Sequence, residues 1–193
     1  MKLIIASNNA HKVGEIKQIL GSRFEEIISL REAGISHETV EDGKTFMENS
    51  LKKAREICEI SGCAALADDS GICAHALDGA PGIYSARFAG EYHGKESDEA
   101  NNALLVEKLS DKADKSAHFT CAIALVYPDG REVVAEGYIY GEIIDEFRGD
   151  NGFGYDPIFL PTGYTRTTAE LSESEKNSIS HRGKALRELL LKL

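Results

Sequence analysis

Hydrophobic and polar positions at the start of the chain follow first a strand period and then a helical one. A short apolar run at residues 3–6 stops at polar residues, after which apolar side chains recur at helical spacing from Val13 to Leu20. A second apolar pair at residues 27–28 precedes a polar stretch. The pattern predicts a strand, a loop, a helix and a second short strand, followed by a long loop over residues 31–42.

The next segment has the apolar stripe of a long helix. The stripe runs through residues 45–60, and Gly62 stands where such a helix would end. Residues 64–67 then have the continuous apolar character of a buried strand, which leads directly into Asp68 and Asp69. We expect these carboxylates at the carboxyl end of that strand, where α/β proteins collect their ligands.

Strand and helix patterns continue to the C-terminus. A helix is predicted over residues 97–109, and strands over residues 119–127 and 132–144. Residues 128–131, Pro-Asp-Gly-Arg, have the chemistry of a hairpin turn. Leucines recur on one helical face within residues 181–193. These elements predict an α/β fold: an elongated mixed twisted β-sheet flanked by helices, with two lobes around a central substrate cleft.

Length and charge narrow the classes of function. A chain of 193 residues that is 42% hydrophobic can bury one core, so we expect a single domain over residues 1–193. The formal net charge of -10 argues against a nucleic-acid partner, because phosphate backbones are bound mainly by Lys and Arg. No apolar run is long enough for a signal peptide or a membrane span, so we expect a cytoplasmic protein without a membrane partner. The cysteines show no zinc-ligand spacing.

Two groups of residues indicate chemistry on phosphates. The loop at residues 7–12 joins a strand to a helix, so it presents backbone N–H groups and Lys12 to an anion, although a polar helix cap explains the loop alone equally well. Glu41, Asp68 and Asp69 provide carboxylates, and Mg²⁺ binds through one or two carboxylates plus substrate phosphates. The alternative to metal binding is that Asp68 or Asp69 only caps the loop by a hydrogen bond to its backbone. Adjacent carboxylates repel, so we expect a nearby cation or a raised pKa.

Three further groups add to these. Thr45, Asn49 and Lys53 lie on one helical face, and Asn49, a poor helix former, indicates a specific hydrogen bond, although a solvated face is the simpler interpretation. Residues 152–157, Gly-Phe-Gly-Tyr-Asp-Pro, allow close backbone approach beside a ring on which a base could stack. Lys176 and residues 180–182 place cations just before a helix.

These motifs together resemble the inosine triphosphate pyrophosphatase family, the non-standard purine NTP pyrophosphatases. Six stretches carry the resemblance in the family's order, namely residues 7–12, 41–50, 66–71, 79–87, 152–157 and 180–183. The resemblance implies Mg²⁺-dependent hydrolysis of ITP, dITP and XTP between the α and β phosphates. Such an enzyme cleanses the nucleotide pool of deaminated purines, usually as a homodimer.

The resemblance also implies roles for individual residues. Glu41 and Asp69 would bind the metal, and Asp69 would be the general base. The substrate-binding positions would be Ser7, Asn8, Asn9, Ala10, His11, Lys12, Lys53, Ser70, Phe153, Gly154, Tyr155, Asp156, Lys176, His181 and Arg182. The first six and Lys53 would hold phosphates, Ser70 would contact the substrate, and those from Phe153 onward would enclose the base and sugar.

The chain departs from the family at two positions. Asn8 stands where glycine is usual, and since asparagine tolerates a left-handed backbone best among the other residues, we expect the loop to keep its shape. His75 stands where many members have an acid, which puts an accessory acidic role there in doubt.

Two rival functions stay open at this point. A pyrophosphatase of related fold acting on pyrimidine or methylated nucleotides would need a different base pocket and should lack residues 180–182. A non-catalytic nucleotide sensor would keep the cations but need not keep Glu41 and Asp69 together.

Overall fold

The computed structural model describes residues 1–90 and 95–193, in which a six-stranded sheet is flanked by helices. The strands are β1 (Lys2–Ile5), β2 (Glu26–Ser29), β3 (Ala64–Ala74), β4 (Ser116–Val126), β5 (Glu132–Ile143) and β6 (Phe159–Pro161). The helices are α1 (Ala10–Leu20), α2 (Phe46–Ser61), α3 (Lys95–Leu109), α4 (Glu173–Ile179) and α5 (His181–Leu190). Short 3-10 turns span His75–Leu77, Gly82–Arg87, Asp156–Ile158 and Thr168–Glu170.

The sheet order is β2-β1-β3-β4-β5-β6. β1 pairs in parallel with β2 and β3, whereas β5 and β6 are antiparallel. The sheet is therefore mixed, and the predicted α/β class is confirmed. Short elements such as β6 and α4 were not predicted, because three to seven residues are too few to show a period.

Helix α2 begins and ends where the sequence predicts. The Thr45 side chain accepts a hydrogen bond of 3.1 Å from the N–H of Glu48 and so caps the helix. Gly62 follows the helix with φ of 65°, and its N–H donates to the carbonyl of Cys58 at 2.9 Å. A glycine is favoured at this position because the left-handed backbone conformation costs least for a residue without a Cβ.

Strand β3 is longer than predicted. It continues to Ala74, so Asp68 and Asp69 lie within the strand, and their expected position at its end is wrong. Pairing with the parallel strand β1 does stop earlier, at the pair Ile5 and Leu66. β3 continues because β4 is its neighbour on the other side. The carboxylates therefore follow the end of the parallel pairing.

The chain packs as two units. Unit 1 comprises Met1–Asp69, Cys121–Gly137 and His181–Leu193, and unit 2 comprises Ser70–Thr120 and Tyr138–Ser180. In the described part of the chain, no helix is both long and apolar enough to cross a membrane.

Unit 1 has core on both faces of its sheet strands. Leu3 and Ile5 of β1 share one cluster with α1 and α5, while Ile4 belongs to another cluster with α2. Successive residues of a strand face opposite sides of the sheet, which is why Ile4 joins a different cluster from Leu3 and Ile5. The two clusters fix α1, α2 and α5 around the strands that carry the acidic residues.

Unit 2 has a core of its own. Phe159 of β6 is fully buried and meets the Phe119 ring of β4 edge-on, with 4.8 Å between ring centroids. Leu105 and Leu109 of α3 pack into the same cluster. This core supports the segment that leads from residue 152 into the turn Asp156–Ile158.

Candidate active site

The loop between β1 and α1 is held by its own side chains. Oδ1 of Asn9 accepts hydrogen bonds from the N–H groups of His11 at 3.0 Å and Lys12 at 3.2 Å, so Asn9 caps α1. The N–H of Asn9 donates to Oγ of Ser7 at 3.1 Å. The first turn thus fixes Lys12, whose Nζ lies 3.0 Å from Oδ2 of Asp68.

Asn8 supports the loop by an interaction that the sequence did not predict. Its Oδ1 accepts a hydrogen bond of 2.9 Å from the N–H of Arg31. Asp78 is the only non-glycine residue with positive φ in the described chain, so the expected reason, a left-handed backbone at Asn8, is wrong. The asparagine side chain instead ties the loop to the segment after β2.

Two side chains of α2 hold Asp69. Nδ2 of Asn49 donates to Oδ2 at 3.0 Å, and Nζ of Lys53 lies 3.6 Å from Oδ1. Nζ of Lys53 is also 2.9 Å from Oε1 of Glu41. The side-chain oxygen of Asn49 accepts from the N–H of Gly43 at 2.8 Å, which ties the loop carrying Glu41 to the same helix. The specific hydrogen bond expected at Asn49 is confirmed.

The two adjacent aspartates have opposite electrostatic environments. Burial raises the pKa of Asp69, and the charge of Glu41 adds to that rise against the opposing effect of Lys53. Burial would also raise the pKa of Asp68, but the charges of Lys12 and Arg182 outweigh it and lower that pKa. Both expected responses to their repulsion, a nearby cation and a raised pKa, are therefore present.

Arg182 completes the charge network. Its Nε and Nη2 each donate to Oδ2 of Asp68 at 3.1 Å, and its Nη1 donates to Oε2 of Glu15 at 2.6 Å. Arg182 is 1% exposed. We expected this side chain to contact the base, whereas the structure places its guanidinium between two buried carboxylates. Glu15 was missed; the available signal was an acid three residues after Lys12, on the same helical face.

His181 and Arg182 open α5, and a glycine determines how closely that helix approaches the sheet. A Cβ at Gly137 of β5 would collide with the carbonyl oxygen of His181 and the amide nitrogen of Ala185. His181 itself is 7% exposed. Only glycine therefore allows the first turn of α5 to lie at this distance from β5.

In unit 2, Asp156 organises the Gly-Phe-Gly-Tyr segment. Its Oδ2 accepts from the N–H of Phe153 at 2.9 Å and from Nζ of Lys176 at 2.5 Å. The same Nζ lies 4.7 Å from the centroid of the Phe153 ring, a cation–π contact. A Cβ at Gly152 would collide with the Asp156 carboxylate. The structure thus brings Phe153, Asp156 and Lys176 together, as the resemblance implies.

Tyr155 and Gly154 have structural partners as well. Tyr155 is buried, and its hydroxyl donates to the carbonyl of Ser85 at 2.7 Å, so its ring belongs to the core. The carbonyl of Gly154 accepts from Nδ2 of Asn102 at 3.0 Å, and its N–H donates to Oδ2 of Asp98 at 2.9 Å. Helix α3 therefore holds this segment in shape. Ser70 follows Asp69 on β3 and is half-buried.

The donor set at Asp69 suits a hard cation. Glu41 and Asp69 supply carboxylate oxygens, which Mg²⁺ prefers, and the cation normally completes its shell with water and substrate phosphates. Lys53 lies between the two acids. Among the residues described, no three or more histidine, cysteine or acidic side chains converge to hold a metal without further ligands. The residues fit a cation that is bound together with a phosphate substrate.

Fold and site define an α/β protein that gathers carboxylates and lysines beside a strand-to-helix loop. The chain belongs to the Ham1 family, whose sequence model matches residues 3–192. The dITP/XTP pyrophosphatase of Clostridium perfringens is 51% identical over 97% of this chain and 95% of that protein. The protein of the same name from Ralstonia nicotianae is 48% identical over 100% of this chain and 96% of its own length.

Solved structures agree with this assignment. The Ham1 protein of Staphylococcus aureus has a TM-score of 0.88 and 40% identity, covering 100% of this chain and 97% of the other. A nucleoside-triphosphatase, or dITP/XTP pyrophosphatase, of Mycobacterium abscessus has a TM-score of 0.79 and 46% identity, covering 98% of this chain and 99% of the other. The fold is therefore that of the Ham1 proteins.

Proposed function

We propose that this chain hydrolyses the non-standard purine nucleoside triphosphates ITP, dITP and XTP to the monophosphate and pyrophosphate. Its role would be to remove deaminated purines from the nucleotide pool. The observation that carries the proposal is the grouping of Asp69, Glu41 and Lys53 with Lys12 within one unit. Relatives about half identical over nearly the whole chain are named dITP/XTP pyrophosphatases, which supports the substrate class.

Residues 7–12 and Lys53 bind the triphosphate in this proposal. Lys12 and Lys53 are already held by Asp68 and Glu41 at 3.0 and 2.9 Å. Their side chains are thus ordered before the substrate arrives, which reduces the entropy lost on binding. Both ammonium groups would neutralise charge that develops on the departing pyrophosphate.

Glu41 and Asp69 would hold the divalent cation, for which we propose Mg²⁺. When bound, Mg²⁺ would supply positive charge that offsets the charge of the phosphates during displacement. Lys53 supplies a fixed positive charge between the same carboxylates, so the site already suits an anionic substrate.

Asp69 acts as the general base. Asn49 orients its carboxylate through Oδ2, and the side chain is 7% exposed. A water molecule attacks the α-phosphorus and gives its proton to Asp69, while the bond from the α-phosphorus to the bridging oxygen breaks. The bonding electrons leave with pyrophosphate. Asp68 does not share this role, because Lys12 and Arg182 bind its Oδ2.

Base selectivity comes from residues 153–156, Lys176, His181 and Arg182. Hypoxanthine and xanthine present a carbonyl acceptor at position 6, where adenine presents an amino donor. Buried donors that face position 6 would lose their acceptor with ATP, at about 1–3 kcal/mol per donor. Arg182 would act indirectly by fixing the start of α5, since its guanidinium is bound to Asp68 and Glu15.

We further propose that residues 1–193 act as one catalytic domain, as a homodimer, in the cytoplasm and without a nucleic-acid or membrane partner. The family resemblance supports the dimer, and the net charge of -10 supports the lack of nucleic-acid binding. Light scattering at several protein concentrations tests the dimer; a constant monomer mass would contradict it.

The decisive experiment is pyrophosphate release from ITP, dITP, XTP, GTP, ATP, dTTP and UTP at saturating Mg²⁺. The first three should exceed ATP in kcat/KM by at least about 100-fold, because two or three mismatched hydrogen bonds amount to that ratio. Equal rates for ATP and ITP would refute the base assignment. Preference for dTTP or UTP would favour the pyrimidine enzyme instead. Orthophosphate in place of pyrophosphate would refute the cleavage site.

A further inference from the structure

Two histidines of unit 2 are in contact, and the proposed function does not use either. His75 follows the end of β3, and His118 lies on β4. Nε2 of His75 is 2.9 Å from Nδ1 of His118. The ring centroids are 5.2 Å apart, and the rings are inclined by 45°. The two nitrogens therefore face each other at hydrogen-bond distance, and a cation that binds both would replace the proton between them.

Neighbouring side chains keep the two rings in this arrangement. Oγ of Ser116 lies 2.8 Å from Nδ1 of His75, the ring nitrogen that does not face His118. On the other side, the rings of Tyr140 and Tyr138 lie 5.4 and 6.2 Å from that of His118. Histidines that bind metals are commonly held in this way, by a hydrogen bond to the second ring nitrogen.

The separation of the nitrogens fits two ligands of one ion. Imidazole nitrogens bind zinc-like ions at about 2.0–2.1 Å. Two nitrogens on one ion are therefore about 2.9 Å apart when the N–metal–N angle is a right angle, and about 3.4 Å apart when that angle is tetrahedral. The observed 2.9 Å is at one end of this range.

We propose that His75 and His118 form a chelating site for a divalent transition-metal ion of the Zn²⁺, Ni²⁺ and Cu²⁺ group. Imidazole suits these ions, whereas Mg²⁺ prefers oxygen ligands, so the site does not compete for the proposed catalytic cation. His75 is exposed and His118 half-buried, which leaves an ion accessible to water. In the part of the chain that is described, no third histidine, cysteine or acidic group converges there, so water completes the shell and the ion exchanges readily.

Ni²⁺ is a suitable probe because it does not oxidise the cysteine thiols. Untagged protein in excess Mg²⁺, which competes with Ni²⁺ for the carboxylate oxygens, is titrated with Ni²⁺ by calorimetry. The single variants His75→Gln and His118→Gln are titrated alongside. His37→Gln is the matched control, since His37 is an exposed histidine of unit 1 bound to Glu56 at 2.7 Å.

The wild type and the His37 variant should each bind Ni²⁺ in a one-to-one complex with equal affinity. His75→Gln and His118→Gln should each weaken Ni²⁺ binding at least about tenfold, since even residues that only hydrogen-bond to a metal ligand contribute that much. Ni²⁺ should raise the melting temperature of the wild type and of the His37 variant but not of the other two. Thermal melting curves recorded without Ni²⁺ test whether all variants are folded. Equal Ni²⁺ affinity in all four proteins, or no binding to the wild type, overturns the proposal.

Discussion

Arg182 and Asp68 stand 114 residues apart in sequence, yet Nε and Nη2 of Arg182 both donate hydrogen bonds of 3.1 Å to a single carboxylate oxygen of Asp68. The contact joins the first turn of α5 to the middle of β3, so the C-terminal helix completes the charge balance beside Asp69. Glu15 extends the network to α1 through Nη1. The integrity of the proposed phosphate site thus depends on a residue at the far end of the chain.

The first prediction concerns the stability that this network provides. Arg182→Met keeps an unbranched side chain but leaves Asp68 and Glu15 buried without their cation, so the free energy of unfolding should fall by about 3–5 kcal/mol. Urea denaturation measures it. Arg187→Met, at an exposed position of the same helix, should change the value by less than about 0.5 kcal/mol. Similar values for both variants would show that the buried ion pairs do not stabilise the fold. If the Met variant does not fold, Glu15→Gln provides a milder test in the same direction.

The second prediction separates an enzyme from a nucleotide sensor. Asp69→Asn removes the proton acceptor and one metal ligand while it keeps the size of the side chain. kcat for ITP should fall by at least about 100-fold, because general-base catalysis alone contributes about 10²–10⁴. ITP should still raise the melting temperature of the variant, since Lys12 and Lys53 remain. Asp42→Asn, at an exposed acid beside the site, should retain nearly normal turnover. Near-normal turnover in the Asp69 variant would assign the base elsewhere.

A third prediction compares neighbouring lysines of α2. Lys53 contacts Glu41 and Asp69, whereas Lys52 contacts Asp42 and is more exposed. Lys53→Met should lower kcat/KM for ITP by about 10–100-fold, since a charge-assisted contact to phosphate is worth about 1.5–3 kcal/mol. Lys52→Met should change it less than about twofold, as is usual for exposed ion pairs. Steady-state kinetics at several Mg²⁺ concentrations measure both; equal effects would place the phosphates away from Lys53.

The fourth prediction tests the close approach of β5 and α5. Gly137→Ala forces the backbone of His181 and Ala185 away from β5, so it should destabilise the protein by about 1–3 kcal/mol and reduce turnover with it. Gly14→Ala is the matched control on α1, where a Cβ meets nothing within 4 Å. The control should raise stability by up to about 1 kcal/mol, because alanine favours a helix. Chemical denaturation and turnover are measured on both. Unchanged stability in the Gly137 variant would contradict the steric argument.

The fifth prediction concerns stability in acid. Hydrogen bonds from the N–H of Ser29 and from Lys17 lower the pKa of Glu32 from 4.5 to about 2. A carboxyl group whose pKa is lowered in the folded state stabilises that state fully above pH 4.5. The contribution declines as the pH falls from 4.5 and is lost below about pH 2. Glu32→Gln should therefore lower the melting temperature at pH 7, and the difference from wild type should shrink between pH 4.5 and 2. A difference that is constant over this range would contradict the assignment.

Sequence alone determined the features that depend on short stretches of chain. The strand-to-helix loop before Lys12, the helix between Thr45 and Gly62, and the hydrogen bond expected at Asn49 all follow from local periods, caps and propensities. Such features concern neighbours within a few residues, so the sequence pattern contains the information that they require. The family, the mixed α/β class and the candidate residues were likewise readable from the order of the motifs.

Tertiary structure alone decided which distant side chains meet. The pairing of Arg182 with Asp68 and Glu15 gives its guanidinium two carboxylate partners that the sequence did not predict. The continuation of β3 past Asp69 depends on β4 as its neighbour, and the contact between His75 and His118 depends on the same arrangement of strands. No local period encodes these contacts, because they arise only when packing brings together elements separated by 43–167 residues.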